Sequence, residues 1–357
     1  MTDLPNSLAR RGFLIGGAAV GAGALLTACT SNEPPAAQNN GGGANVAAGQ
    51  GDNAQPGKMV TIGFSAPAAD HGWIAAITKN AKAQADKFKA DVTLKPTEGT
   101  NDPSQQIAQV ETLINQKVDV LVILPMDGKQ LTSVGQSAMD KGIPVINLDR
   151  IFDTPLAYRT WIGGDNYRMG VNAGNYIAGE MKKKGISNPI IGEIAGIDSL
   201  PLTQDRSRGF KDALAKAGFQ VGPRQAAEFT VETGERATAN LLQAAPKLDA
   251  LWNHDDDQGI GVMAAISAAN RKEFIMVGGA GSRNMIDKIK ADTDVIKATV
   301  LYSPSMASSA IALARLLGQA KGMGDLAEHE IPASITTYSA VVTKENADRY
   351  ADVAFDS

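Results

Sequence analysis

The sequence predicts an α/β protein built from two doubly wound parallel sheets. Three observations lead there. From Lys58 onward, short apolar runs alternate with amphipathic helical stretches. The runs are apolar at nearly every position, as strands covered on both faces must be. About eleven of them occur, too many for one sheet of ordinary size, and 357 residues suffice for two cores.

The first half opens on the strand Val60-Thr61-Ile62-Gly63-Phe64. A helix from Trp73 to Lys89 follows, with Ile74, Ile77, Ala81, Ala85 and Phe88 on one face, and then the strand Val92-Thr93-Leu94. Pro103 opens the next helix, since its fixed φ and missing N–H suit a first turn; Ile107, Val110, Leu113 and Ile114 form its apolar face. The strands Val118 to Leu124 and Ile143 to Leu148 flank a helix that ends near Lys141-Gly142.

The second half repeats the pattern. Strands are expected at Thr160 to Ile162, Ile190 to Ile194, near Gln220-Val221, and at Ala250 to Trp252, Phe274 to Val277 and Lys297 to Leu301. Helices are expected over Tyr167–Lys184, Gln204–Ala217, Glu235–Ala245, Gln258–Ala269, Met285–Ala291 and Ser305–Lys321. No sequence repeat of about 30 residues is present, which argues against a solenoid.

Composition removes several functions. Lys and Arg number 34 against 38 Asp and Glu, a net charge of −4, whereas a nucleic-acid binder normally carries a basic face. One Cys and three His leave no disulfide framework and no multi-histidine metal centre. His254 beside three carboxylates has no second histidine nearby. Gly279-Ala280-Gly281 follows a strand, but Asn284 stands where a nucleotide-binding loop needs its third glycine. No cofactor is expected.

The amino terminus accounts for the cysteine. Arg10-Arg11 precede an apolar run from Phe13 to Leu26, and the segment closes on Leu26-Thr27-Ala28-Cys29. The run is too short for a spanning helix, which needs roughly 20 residues, so residues 1–28 read as an export signal. Arg10-Arg11-Gly12-Phe13-Leu14 resembles the twin-arginine motif, with Ile15 where a lysine is usual, and Leu26 to Cys29 resembles the bacterial lipobox. That resemblance makes Cys29 a lipidated first residue of the mature chain. From Thr30 to Gly57, 25 of 28 residues are Ala, Gly, Asn, Gln, Pro, Ser or Thr, the composition of a disordered tether.

In doubly wound sheets, ligands sit outside the carboxyl ends of strands. The polar groups placed there are Asp70-His71-Gly72-Trp73, Pro125-Met126-Asp127, Asp149-Arg150, Asp165-Asn166, Asp205-Arg206 and His254-Asp255-Asp256-Asp257. A carboxylate accepts two hydroxyl hydrogens, an arginine presents a planar fork of donors, and an aromatic ring covers an apolar C–H face. Such a set suits a polyhydroxylated ligand.

Gly142-Ile143-Pro144-Val145-Ile146-Asn147-Leu148-Asp149-Arg150, then Asp165-Asn166, then Asp205-Arg206-Ser207-Arg208-Gly209-Phe210 resemble the sugar-binding proteins of bacterial ABC importers, the ribose-binding-like type 1 periplasmic binding proteins, over residues 58–342. The resemblance implies two lobes joined by three hinge segments, the first 58–164 plus 303–332, the second 165–302 plus 333–357. It implies that Asp149 and Arg150 grip hydroxyls, that Asn166 adds an amide, and that Arg206 reaches in from the second lobe. Trp73 and Phe229 fall at the opposing aromatic walls, Asp70 and His71 beside the first, and Asp255 or Asp256 after Trp252. The implied function is a monomeric, lipid-anchored receptor on the outer face of the cell membrane, delivering a monosaccharide or polyol to an ABC permease and ATPase, with no catalysis. Related transcription repressors need a helix-turn-helix where this chain carries an export signal.

Two positions depart from the family pattern. Ala280 stands in place of an acidic residue and Tyr302 in place of a glutamine. They imply a ligand other than ribose in its usual pose: a pentose or hexose held differently, or a linear polyol. Two other readings stand beside this one. The first is a secreted glycoside hydrolase with an acid pair around Asp255; the second is a sugar receptor feeding a membrane sensor.

Overall fold

A computed structural model describes residues 53–324 and 330–357. The twin-arginine pair, Cys29 and tether residues 30–52 lie outside the described residues. The first half comprises β1 (Val60–Ser65), α1 (Gly72–Lys87), β2 (Val92–Pro96), α2 (Pro103–Asn115), β3 (Val120–Ile123), α3 (Gly128–Asp140), β4 (Val145–Leu148) and β5 (Thr160–Gly164). The second comprises α4 (Asn166–Lys183), β6 (Ile191–Ala195), α5 (Pro201–Lys216), β7 (Val221–Ala226), α6 (Val231–Ala244), β8 (Ala250–Asn253), α7 (Asp256–Ala268), β9 (Ile275–Ala280), α8 (Arg283–Ala291) and β10 (Ile296–Leu301). Helix α9 (Met306–Gly318) and two short strands, β11 (Ser334–Thr337) and β12 (Val341–Thr343), complete the described α-helices and strands; short 3-10 helices lie at Pro155–Ala157 and Ala347–Val353.

The strands form two six-stranded sheets, ordered β11-β5-β4-β3-β1-β2 and β12-β10-β9-β8-β6-β7. Every pairing is parallel except β10 with β12. The expected doubly wound pair is therefore present. Strands β3 and β4 are buried at every residue, which is why they read as unbroken apolar runs.

The chain passes between the sheets after Gly164, after Leu301 and after Thr337. The last passage falls later than the expected boundary at 332/333, because Ser334–Thr337 pairs with Trp161–Gly164 in the first sheet. Strand β7 also extends further than its sequence suggested. Its burial alternates between half-buried and exposed, and Pro223 interrupts it, a pattern tolerated at a sheet edge.

Two buried features position the site. Helices α4 and α5 meet backbone to backbone at Gly170, where a Cβ would stand 2.0 Å from the Arg206 carbonyl oxygen; this brings Arg206 beside Asn166. At the opposite end of the first sheet, Arg315 on α9 pairs with Asp91, both almost fully buried. The same guanidinium donates to the carbonyls of Asn53 and Gln55, and Asp91 accepts the Gly57 amide. Residues 53–57, expected to belong to a disordered tether, are thus fastened at the amino ends of the strands, away from their carboxyl ends.

Candidate functional site

Within each sheet the winding reverses, between β1 and β3 in the first and between β6 and β8 in the second. The crevice outside the carboxyl ends at that reversal is where such folds take ligands. Here loops from both sheets line one inner cavity. His71 and Trp73 follow β1, and Asp149 and Arg150 follow β4; Arg206 comes from α5, Phe229 follows β7, Asp255 follows β8, and Tyr302 follows β10. Leu202 and Ala280 complete the wall. Eight of the eleven residues expected from sequence meet there.

The backbone is strained at this point. Seven described non-glycine residues have positive φ; Lys117, Asn270, Asp292 and Ala320 are at or just after helix ends, where a left-handed residue is ordinary. The other three, Asp149 (60°), Phe229 (64°) and Ala280 (90°), all line the inner cavity. Such conformations cost about 1–3 kcal/mol each and concentrate at functional sites.

Tyr302 is the hub of the hydrogen bonds. Its hydroxyl donates to Asp149 Oδ1 and accepts from Asn166 Nδ2 at 3.2 Å, while its carbonyl accepts from Trp73 Nε1 at 2.9 Å. The Arg206 guanidinium lies 4.7 Å from its ring centroid. Arg206 is itself held by Nε donating to Asn166 Oδ1 (2.9 Å) and by Nη1 donating to the His254 carbonyl (3.1 Å). Arg150 donates to the Met126 carbonyl at 2.7 Å. The cavity they enclose is small, about 30 Å³.

Burial dominates the electrostatics. It raises the Asp149 carboxyl above the usual carboxylate range, against the Tyr302 hydrogen bond and the charges of Arg150 and Arg206. It lowers Arg150, against the Asp149 charge. Burial also works against a charge on His71, yet the Asp70 hydrogen bond and the charges of Asp255, Asp70 and Asp257 outweigh it, so that imidazole is raised.

Three of the expected residues do not line this inner cavity, although Asn166 lines the larger one beside it. Asp70 accepts from Asn101 Nδ2 at 2.9 Å and bonds His71 Nδ1 at 2.5 Å, orienting the imidazole. Asn166 links Tyr302 to Arg206, as above. Asp256 does not line the cavity: its two oxygens accept the amides of Gly279, Gly281 and Ser282 and the Thr299 hydroxyl. It anchors the loop after β9, and burial pushes its carboxyl up to about 8 although four donors favour its charge. Among the described residues, no group of three or more His, Cys, Asp or Glu is arranged to hold a metal ion.

Residues 62–322 match the family described as the periplasmic binding protein domain. The chain belongs to that family. Among curated relatives it is 29% identical over 249 residues to the ribose import binding protein of Bacillus subtilis, covering 70% of this chain and 78% of that one. It is 30% identical over 269 residues to the D-ribose/D-allose-binding protein of Pseudomonas aeruginosa, covering 73% and 81%. Among solved structures, an ABC transporter solute-binding protein from Mycobacterium smegmatis with bound glycerol superposes with a TM-score of 0.73 at 26% identity, covering 84% of this chain and 99% of that one.

This periplasmic binding protein has a second, larger cavity that sequence reasoning did not find. Its volume is about 490 Å³, and it shares Asp149, Arg150 and Leu202 with the inner one. Trp161 lies on its wall, as do Asp127, Asp153 and the start of α5. Asp127 follows an apolar strand and stood among the polar groups noted from sequence. Trp161, inside a strand, carries no sequence signal that separates it from a core residue.

Proposed function

We infer that this protein is the substrate-binding lipoprotein of an ABC importer, exported and anchored through Cys29 to the outer face of the cell membrane. It captures a monosaccharide or polyol between its two lobes and delivers it to the permease and ATPase, without catalysis. The observation that carries this reading is the convergence of Asp149, Arg150, His71 and Arg206, from both sheets, on one aromatic-walled cleft. Relatives named for ribose and for D-ribose/D-allose support it. The hydrolase reading gains nothing, since Asp255 spends Oδ1 capping α7 and Asp256 anchors a loop.

A ligand bridging the two lobes favours their closed arrangement by its differential contacts, and the closed shape is what a permease distinguishes. A carbohydrate at 100 times its Kd stabilises the native state by about 2.7 kcal/mol. Thermal unfolding with a panel of pentoses, hexoses and polyols should therefore show a midpoint raised by several degrees for at least one member. Asp149→Ala should abolish that rise while leaving the fold intact; a panel without any shift would refute the carbohydrate reading.

A further inference from the structure

We propose that residues 354–357 are a latch, carried by the second sheet, that holds the two halves of this protein together by gripping the first turn of α1. The latch is independent of what the cleft binds and acts in the empty protein as well.

The stem of the latch belongs to the second half. After β12 the chain runs through the 3-10 helix Ala347–Val353, where Ala347 is buried, and Tyr350, Val353 and Ala354 pack against the apolar cluster of Ile286, Leu301 and Val342. The buried Phe355 then pairs with Ser282 in a parallel bridge, and its carbonyl accepts the Arg283 amide at 2.8 Å. Ser357 Oγ donates to Asn284 Oδ1 at 2.9 Å. These partners lie at the start of α8, so the stem travels with the second sheet.

The tip reaches the first half at two points. At Gly72 a Cβ would stand 2.5 Å from Ser357 Cα and 2.7 Å from the Asp356 carbonyl oxygen, so the tail backbone lies directly on the start of α1. Asp356 offers one carboxylate oxygen to each half: Oδ1 accepts from Arg283 Nε at 3.2 Å, and Oδ2 stands 3.6 Å from Lys79 Nζ on α1. Behind the tip, a groove separates residues 352–356 from Ala76 of α1. The hold is thus confined to the tip, and the halves can part without unravelling the stem.

The turn that is gripped matters to the site. His71 and Trp73, on either side of Gly72, line the inner cavity, and the Trp73 amide donates to Asp257 of the second sheet at 2.8 Å. That amide exchanges with solvent only when the halves part or α1 frays. Contacts made only while the halves meet favour the closed arrangement by their differential free energy. A tail already anchored beside its target meets it at high effective concentration, so even an exposed ion pair adds to the hold.

The test needs no ligand, so its outcome is separate from the carbohydrate reading. Hydrogen exchange of the empty protein, read by mass spectrometry, follows residues 72–76 at the start of α1, residues 228–230 across the inner cavity, and β3 as the reference for global unfolding. Ending the chain at Val353 should speed exchange at 72–76 and 228–230 together, roughly tenfold, and leave β3 unchanged. Asp356→Lys places a cation between Lys79 and Arg283 and should speed both segments about threefold. Asp348→Ala breaks only the exposed pair between the stem and Lys290 on α8, and should leave them unchanged. Should the shortened chain fail to fold, Asp356→Lys decides. Exchange unmoved by Asp356→Lys and by the shortening overturns the latch. So does acceleration confined to 72–76, which is fraying of α1, or equal acceleration in β3, which is loss of global stability. An Asp348→Ala effect as large as that of Asp356→Lys overturns it too.

Discussion

Asp149 works at three contacts: its carbonyl fixes Trp161, its Oδ1 accepts from Tyr302, and its side chain borders both cavities. Its left-handed backbone turns the chain sharply at the end of β4, a conformation that Asp tolerates better than most residues. Tyr302 occupies one of its two acceptor oxygens, so Tyr302→Gln should release that oxygen and open the inner cavity. The expected outcome is at least a tenfold gain in D-ribose affinity by calorimetry, at a folding cost of about 1–3 kcal/mol from lost packing. Unchanged ribose affinity would mean that Tyr302 does not close the inner cavity. At this scale the sequence was most readable where chemistry is compact: the adjoining Asp149-Arg150 pair at a strand end could be picked out without coordinates. Asp256 could not be told from its neighbours, because three successive aspartates at a helix start point in directions about 100° apart, and only packing decides which faces what.

Those three aspartates also show how elements are joined. Asp255 caps its own helix α7 by accepting the amides of Asp257 and Gln258, at 2.9 and 3.1 Å. Asp257 instead accepts the Trp73 amide at 2.8 Å, capping α1 from the other sheet; His71, the residue before α1, makes no side-chain cap of its own. Helix ends need such partners. Asp257→Ala should therefore lower folding stability by about 0.5–2 kcal/mol in urea denaturation, the usual cost of a lost cap. On the far side, the Arg315–Asp91 pair joins α9 to the start of β2 and to residues 53–57. The Arg315 hydrogen bond holds the Asp91 carboxyl down at about 2, against burial, from an ordinary 3.8. Its stabilisation is then complete above pH 4 and is lost as pH falls toward 2, which acid unfolding of the wild type measures. Arg315→Ala leaves a buried carboxylate unpaired and should cost about 3–5 kcal/mol. Elements with a strong apolar period were legible to within a few residues; of β7 only the start was, and β11 and β12 were not, being short or half-exposed edge strands whose extent depends on the neighbour they pair with.

For the whole molecule, closure of the two sheets' loops on each other buries His71, Asp255 and Asp257 together. Asp257 is pushed up to about 7, first by burial and then by the Asp255 charge; Asp255 is raised by burial, and His71 is raised by the carboxylates around it. Each binds a proton more readily when the loops meet than when they part, so closure takes up protons and is favoured at acid pH. Asp70, lowered by its His71 hydrogen bond, opposes this from a more exposed position. Ligand affinity should accordingly fall as pH rises from 5 to 8. Binding should be accompanied by proton uptake, read by calorimetry in buffers of different ionisation enthalpy, and Asp257→Asn should flatten the profile. An affinity that rises with pH would contradict this account.

By itself the sequence determined the two-sheet α/β class, the order of its main elements and most of the residues of the inner cavity. Apolar periodicity is a local property, and strand ends are where such sheets put their chemistry. It also carried the family resemblance. Only the tertiary structure decided that Tyr302 links Asp149, Asn166 and Trp73 across the cleft, that Trp161 faces a second and larger cavity, and that Asp256 and Asp257 brace loops and a helix. These outcomes depend on which side chains meet across two sheets separated by long stretches of chain, and no local pattern encodes such a meeting.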